Sequence, residues 1–124
     1  MSDKKTILVI DDDVDIVDSI KIILEQAGFN VATALSGHDG IEAAIKNKPD
    51  LILCDMMMER IDEGTKVAQE LQEKGVSAPI FLLSSIGDAT AANIEIDTLG
   101  FKGVFQKPVK PDYLVWAVKK TLGL

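Results

Sequence analysis

Five polar side chains with complementary chemistry stand directly after apolar runs of the sequence. They are Asp11, Asp12, Asp55, Ser84 and Lys107. The two adjacent aspartates follow the first run, the third aspartate closes the third run, and the serine and the lysine follow the fourth and the last. In open α/β sheets, ligands bind outside the carboxyl ends of the strands, where the strand order reverses. If the runs are parallel strands, all five side chains therefore share one pocket.

A pocket with three carboxylates needs positive charge, because like charges at close range repel one another. A hard divalent cation with oxygen ligands offsets this repulsion directly, and Mg²⁺ fits best, since it binds through one or two carboxylates and keeps several waters. Each residue also has a simpler interpretation. Residues 11–13 are typical of a helix cap, while Ser84 and Lys107 are compatible with a turn cap and a solvated cation. The recurrence of these residue types at the same end of successive strands favours a site.

Apolar runs and helical patterns alternate along the chain, as strands and helices do in α/β proteins. The predicted strands are Ile7 to Ile10, Asn30 to Ala34, Leu51 to Cys54, Pro79 to Leu83 and Gly103 to Phe105. Continuous apolar runs are typical of strands that helices cover on both faces. We therefore predict an α/β fold, a doubly wound five-stranded parallel sheet in the flavodoxin-like order 2-1-3-4-5.

Five helical patterns follow the strands. The first spans Val14 to Ala27, the fourth spans Asp88 to Leu99, and the last begins near Pro111, a residue suited to a first helical turn. The third begins after a loop that runs from Met56 to Gly64. The second pattern predicts a buried face that consists of Ile41, Ala44 and Ile45.

Composition limits the class of protein. The 124 residues include 20 acidic and 13 basic side chains, for a formal net charge of −7. We expect a single domain over residues 1–124, because a chain of this length buries enough surface to fold without disulfides or a structural metal. Cys54 is the only cysteine, which excludes an intrachain disulfide. The acidic balance argues against nucleic acid or a membrane as a partner, and the N-terminal sequence does not resemble a signal peptide, so we expect a cytoplasmic protein.

Four motifs combine these residues in a fixed order. They are the segment Leu8-Val9-Ile10-Asp11-Asp12, Asp55 with Met58 three residues on, Ser84 after the fourth strand, and Lys107-Pro108 after the fifth. In order and spacing the set resembles the receiver domain of two-component response regulators, over essentially the whole chain. The resemblance implies a regulatory protein rather than an enzyme. Such a protein takes its phosphoryl group from a sensor histidine kinase or a phosphotransfer protein. It also implies a downstream protein target, and a monomer or a weak, phosphorylation-dependent dimer.

The resemblance assigns a role to each site residue. Asp55 is the expected phosphoacceptor, a nucleophile that attacks the phosphohistidine of the donor. The expected ligands of Mg²⁺ are Asp11, Asp12, Asp55 and the backbone carbonyl of Met57. Lys107 is expected to contact the phosphoryl oxygens, and Ser84 to form a hydrogen bond with the phosphate. These roles agree with phosphoryl-transfer chemistry, in which positioning and electrostatic stabilisation do most of the catalysis.

The sequence departs from the family pattern in the loop after the third strand and at Val104. In the loop after the third strand, Glu59 replaces a proline and Glu63 lengthens the path to Gly64 by one residue, so we expect a less rigid loop. Val104 stands where the family has an aromatic residue, although Phe105 is its neighbour. The coupling between the serine and an aromatic side chain is therefore expected to differ.

Two other interpretations stay open. The pattern Asp11-x-Asp13-Val14 also resembles haloacid-dehalogenase-type phosphatases, in which Asp11 would be the nucleophile and Asp13 the acid/base. That family needs a downstream acidic pair and usually a longer chain. The second interpretation is a degenerate receiver that binds its partners without phosphorylation. In the last helix, Tyr113, Trp116 and Lys120 share one flank that is offset from the core face. This flank has two interpretations: the resemblance implies a surface that binds partners, whereas the simpler interpretation is that Trp116 fills a groove.

Overall fold

The computed structural model describes residues 4–55, 63–84 and 101–124. The strands in these ranges are β1 (Thr6–Ile10), β2 (Asn30–Ala34), β3 (Leu51–Asp55), β4 (Ile80–Ser84) and β5 (Gly103–Gln106). The helices are α1 (Val14–Gln26), α2 (Gly37–Asn47), α3 (Glu63–Glu73) and α4 (Pro111–Thr121). The predicted helix from Asp88 to Leu99 and the predicted metal ligand Met57 lie outside the described residues. Glu63, which the sequence analysis assigned to a loop, is the first residue of α3.

The five strands form one parallel sheet in the order β2-β1-β3-β4-β5. The predicted fold class and strand order are therefore confirmed. Every residue of β3, the central strand, is buried, which explains why its sequence is continuously apolar up to the final aspartate. Ile10 is opposite Cys54, and Ser84 is opposite Gln106. This register aligns the carboxyl ends of the strands at one edge of the sheet.

Helices cover both faces of the sheet. One core lies beneath α1 and α4 and includes Val9, Leu53, Leu83 and Phe105 from the strands. The other core lies beneath α2 and α3 and includes Leu8, Ile52, Cys54 and Leu82. Successive strand residues alternate between the two cores because side chains of a strand point to opposite faces. Within the described ranges, no helix has the length and apolar character needed to cross a membrane.

The buried face of α2 differs from the predicted one. Ile45 is 49% exposed, so its assignment to the core was wrong. The buried residues of this helix are Gly37, Gly40, Ile41 and Ala44. Their spacing of three and four residues forms one stripe, and Gly40 in that stripe lies directly against Ile10 of β1. Hydrophobic spacing favours Ile45 and gives no signal for the buried glycines, because a glycine contributes to a helix contact through its lack of a side chain.

Candidate functional site

Three carboxylates meet at the carboxyl edge of the sheet. Asp11 and Asp12 follow β1, and Asp55 is the last residue of the neighbouring strand β3. Each of the three offers a carboxylate oxygen, and these oxygens all lie within 4.8 Å of one another. Asp11 and Asp55 are buried, whereas Asp12 is exposed. We call these three residues the acidic cluster.

Lys107 brings a positive charge to the acidic cluster from the end of β5. Its Nζ atom lies 2.8 Å from Oδ2 of Asp11 and 3.1 Å from Oδ1 of Asp55. Burial by itself disfavours the ammonium form, but the interactions with Asp11 and then with Asp55 outweigh burial, so that the pKa of Lys107 is raised above its ordinary value. Three carboxylates against one ammonium group still leave the site with an excess of negative charge.

The carboxylate of Asp11 is held in a fixed orientation. Its Oδ1 atom accepts a hydrogen bond of 2.9 Å from the backbone N–H of Asp13, and its own backbone N–H donates to the carbonyl of Ala34. Its Oδ2 atom is buried and contacts Lys107 as an ion pair, yet it accepts no hydrogen bond of suitable geometry from the residues that the structure describes. A buried carboxylate oxygen with unused capacity, beside two more carboxylates, fits a hard divalent cation.

Ser84 lies at the same edge of the sheet as the acidic cluster. It is the last residue of β4 and is fully buried. Its backbone carbonyl accepts a hydrogen bond of 2.7 Å from the backbone N–H of Lys107. Four of the side chains predicted from the sequence (Asp11, Asp12, Asp55 and Lys107) therefore converge, and Ser84 is joined to Lys107 through the backbone.

Asp13 has a structural role that bears on the phosphatase interpretation. It is the N-cap of α1, and its Oδ1 atom accepts hydrogen bonds from the backbone N–H groups of Asp15 and Ile16 at 3.0 and 3.4 Å. The Asp13 carboxylate thus accepts hydrogen bonds from backbone N–H groups in the first turn of α1, and its negative charge interacts favourably with the helix dipole. The acid/base role that the phosphatase interpretation gave to Asp13 finds no support in this geometry.

Two contacts of Asp11 were missed by sequence reasoning. The hydrogen bond from the Asp13 N–H had a detectable signal, because an aspartate followed two residues later by a free N–H group is typical of an Asx turn. The ion pair between Asp11 and Lys107 was not predicted, although both residues were expected in one pocket, because the resemblance implies a lysine that contacts phosphoryl oxygens. That pair depends on the spatial positions of β1 and β5, which are not neighbours in the sheet.

The family comparison agrees with this architecture. The family model of the response regulator receiver domain matches residues 7–119. That range includes every residue of the candidate site and, apart from Thr6 at the start of β1, all five strands. The chain therefore belongs to the response regulator receiver domain family, a class of phosphoacceptor signalling domains.

Curated relatives extend well beyond the part that this chain matches. The alkaline phosphatase synthesis transcriptional regulatory protein PhoP of Bacillus subtilis is 32% identical over 118 residues, which are 95% of this chain and 48% of the relative. The transcriptional regulatory protein ZraR of Salmonella typhimurium is 32% identical over 120 residues, which are 97% of this chain and 27% of the relative. The chain thus spans about a quarter to a half of these relatives.

Two solved structures share the fold along almost their whole length. A response regulator receiver domain protein from Clostridium thermocellum superimposes with a TM-score of 0.86 at 28% identity, covering 96% of this chain and 94% of that one. The receiver domain of NtrX from Brucella abortus superimposes with a TM-score of 0.85 at 26% identity, covering 94% of this chain and 98% of that one.

Proposed function

We propose that this chain is a phosphorylation switch in which Asp55 accepts a phosphoryl group from a phosphohistidine. The donor is a sensor histidine kinase or a phosphotransfer protein, and the modified chain changes its binding to a protein target. The observation that carries the proposal is the placement of Asp55, which is buried at a strand end, 3.1 Å from the Lys107 ammonium and beside two more carboxylates.

The chemistry is a transfer between two nucleophiles. A carboxylate oxygen of Asp55 attacks the phosphorus atom, the bond between phosphorus and the imidazole nitrogen breaks, and the electron pair of that bond returns to the imidazole. Lys107 offsets the charge on the transferring oxygens, because its ammonium group already lies beside Asp55. Ser84, at the same edge, is proposed to form a hydrogen bond with the phosphoryl group after transfer.

Mg²⁺ is proposed as the cofactor. Asp11, Asp12 and Asp55 would hold it, together with the backbone carbonyl of Met57, which lies outside the described residues. When bound, Mg²⁺ neutralises negative charge shared by the carboxylates and the phosphoryl group. In its absence Lys107 is the counter-ion of Asp11 and Asp55, and Asp12 adds a third negative charge to the edge.

The output is proposed to be protein binding. The relatives above are named as transcriptional regulators, and they contain more than the segment matched by this chain. A formal net charge of −7 does not favour contact with nucleic acid by this chain itself. The chain is proposed to act as a single regulatory domain in the cytoplasm, as a monomer or a weak dimer after phosphorylation, and to act on no separate substrate.

The proposal is tested by incubation with Mg²⁺ and acetyl phosphate, followed by mass spectrometry of the intact protein and its peptides. The parent is expected to gain one phosphoryl group on Asp55, and Asp55→Asn to gain none. Asp50→Asn is the matched control, because Asp50 lies at the opposite edge of the sheet, where its Oδ2 atom accepts a hydrogen bond from the Thr6 N–H. It should be modified like the parent.

Two outcomes would contradict the assignment. Modification of Asp11 in the parent would support the phosphatase-type chemistry. A parent that folds and binds Mg²⁺ but takes up no phosphoryl group from acetyl phosphate or from a phosphohistidine protein would support the degenerate receiver that binds without phosphorylation.

A further inference from the structure

A stack of aromatic rings leads from the core to the surface of α4. The ring centroids of Phe81 and Phe105 are 5.0 Å apart, and Phe105 meets Tyr113 edge-on at 5.6 Å. Tyr113 in turn stacks on Trp116 at 6.0 Å with an interplanar angle of 24°, and Nζ of Lys120 lies 4.9 Å from the Trp116 ring. We call Phe105, Tyr113 and Trp116 the aromatic stack.

The inner end of the aromatic stack is joined to the acidic cluster through β5. Phe105 lies two residues before Lys107, the residue that contacts both Asp11 and Asp55. The backbone N–H of Lys107 is hydrogen-bonded to the carbonyl of Ser84. A change in the partners of Lys107 therefore acts on the end of the same short strand that carries the Phe105 ring.

The outer end of the aromatic stack is accessible. Phe105 is 2% exposed, whereas Tyr113 is 53% and Trp116 is 55% exposed. Tyr113 and Trp116 are three residues apart on α4, and Lys120 follows Trp116 by four, so all three lie along one side of the helix. The stack thus has one end fixed in close packing and another that can rearrange at little cost in buried surface.

Val104 and Phe105 lie on opposite faces of the sheet. Val104 packs against the core beneath α2 and α3, whereas Phe105 belongs to the core beneath α1 and α4. The aromatic ring that follows Val104 in the sequence is thus directed to α4. Displacement of a ring in a close-packed core is accommodated by its neighbours, because such a core has no free volume to absorb it.

We propose that the aromatic stack transmits the charge state of the acidic cluster to the outer side of α4. When the Lys107 ammonium leaves its ion pairs with Asp11 and Asp55 to bind another anion, the packing of Phe105 against Tyr113 changes. Because Tyr113 stacks on Trp116, the environment of Trp116 changes as well. The trigger in the cell rests on the proposed function, since it is the phosphoryl group on Asp55 that would attract Lys107. The connection itself rests only on the ion pairs and ring contacts described above.

A double-mutant cycle tests the connection without phosphorylation. Trp116 is the only tryptophan, so intrinsic fluorescence reports on it alone. Lys107→Gln, which breaks the ion pairs, is expected to shift the emission maximum and the quenching of Trp116 in the parent background. The same change in a Phe105→Leu background should have no such effect.

Control variants keep the cycle interpretable. Phe29→Leu truncates another buried phenylalanine of the same core and should leave the response to Lys107→Gln intact. Tyr113→Leu removes the middle ring at an exposed position, so it should abolish the response even if Phe105→Leu fails to fold. An equal response of Trp116 to Lys107→Gln in the parent and in Tyr113→Leu would overturn the proposal.

A second arm separates this inference from the proposed function. Phosphoryl incorporation is followed by mass spectrometry while Trp116 fluorescence is recorded with Mg²⁺ and acetyl phosphate. Incorporation at Asp55 with an unchanged Trp116 signal would overturn the transmission and leave the phosphoacceptor role intact. A positive double-mutant cycle in a protein that takes up no phosphoryl group would support the transmission and refute the phosphoacceptor role.

Discussion

Lys107 is the counter-ion of two carboxylates, and this makes its contribution to stability dependent on pH. Its side chain is 15% exposed, so solvent screens its contacts with Asp11 and Asp55 only in part. Because its pKa is raised in the folded state, its stabilisation is fully present below the ordinary lysine pKa of 10.5 and is lost as the pH rises through the folded value. The sensitive range is therefore alkaline, and neutral pH lies on the plateau.

Replacing this lysine by methionine is expected to lower the free energy of unfolding by about 2 kcal/mol at neutral pH, between the values typical of exposed and buried ion pairs. The difference in free energy of unfolding between the parent and Lys107→Met should become smaller in strongly alkaline buffer, because Lys107 of the parent loses its charge there. Urea unfolding at neutral and alkaline pH measures this difference. Lys110→Met, at an exposed position, serves as the control. A difference in free energy of unfolding that stays constant as the pH rises above the raised pKa of Lys107 would contradict a stabilising role of its charge.

Asp12 adds negative charge to an edge where Lys107 already contacts the other two aspartates. Asp12→Asn is expected to raise the free energy of unfolding by about 1 kcal/mol in EDTA, because it relieves repulsion at a partly solvated position. Adding Mg²⁺ should stabilise the parent by mass action and the variant much less. Thermal unfolding with and without Mg²⁺ measures both effects, and equal Mg²⁺ stabilisation of the two proteins would exclude Asp12 as a ligand.

At the scale of elements, α2 lies close against β1 at Gly40. A Cβ atom added to Gly40 would lie 2.5 Å from Cδ1, 2.8 Å from Cγ1 and 2.9 Å from Cγ2 of Ile10. Such distances require the Ile10 side chain, the helix or the strand to shift. Since Ile10 is directly before Asp11, the packing of this helix also fixes the position of one end of the acidic cluster.

Gly40→Ala is expected to destabilise the protein by about 1 to 3 kcal/mol, the usual cost of overpacking a close-packed core, as measured by urea unfolding. Ile10→Ala removes all three contacting atoms and has its own cavity cost. The double variant Ile10→Ala with Gly40→Ala should therefore be more stable than the sum of the single effects predicts. Strict additivity would indicate that Gly40 and Ile10 do not determine this helix position.

Elements with strong local signals were predictable from the sequence, and contacts between distant elements were not. The apolar runs located the ends of all five strands to within one residue, and Pro111 marked the first turn of α4 as expected. The face of α2 was misassigned because the buried contribution of Gly40 comes from its lack of a side chain. The strand pattern places Lys107 and Asp11 at the same edge of the sheet, but it does not determine their ion pair, which depends on the exact distance between the ends of β1 and β5.

At the scale of the whole molecule, burial is concentrated at the centre of the sheet. All five residues of β3 are buried, whereas β2 lies at an edge of the described sheet and only Ala34 among its residues is buried. Amides in the central strand should therefore exchange with solvent only on global unfolding, and those of β2 by local opening as well.

This difference yields a prediction for hydrogen exchange. If Asp12→Asn stabilises the fold by about 1 kcal/mol, exchange in β3 should slow by roughly fivefold, because its amides report the global free energy. Exchange in β2 should slow less. Mass spectrometry of peptides from the two strands measures both rates, and equal slowing in both would show that β2 also opens only with the whole molecule.

The parallel arrangement of the sheet has a consequence for how the chain reaches its native state. Ile7 is opposite Leu51, and Phe81 is opposite Gly103, so each described strand pairs with residues far along the chain. The entropy of closing such long loops must be spent before the first interstrand hydrogen bonds form. Helices α1 and α2 have N-caps formed by local side chains, whereas β3 completes its backbone hydrogen bonds only when both of its partners, β1 and β4, are in place. The position of Asp55 at the end of β3 is therefore fully determined only when strands from both sides of the chain's midpoint have paired.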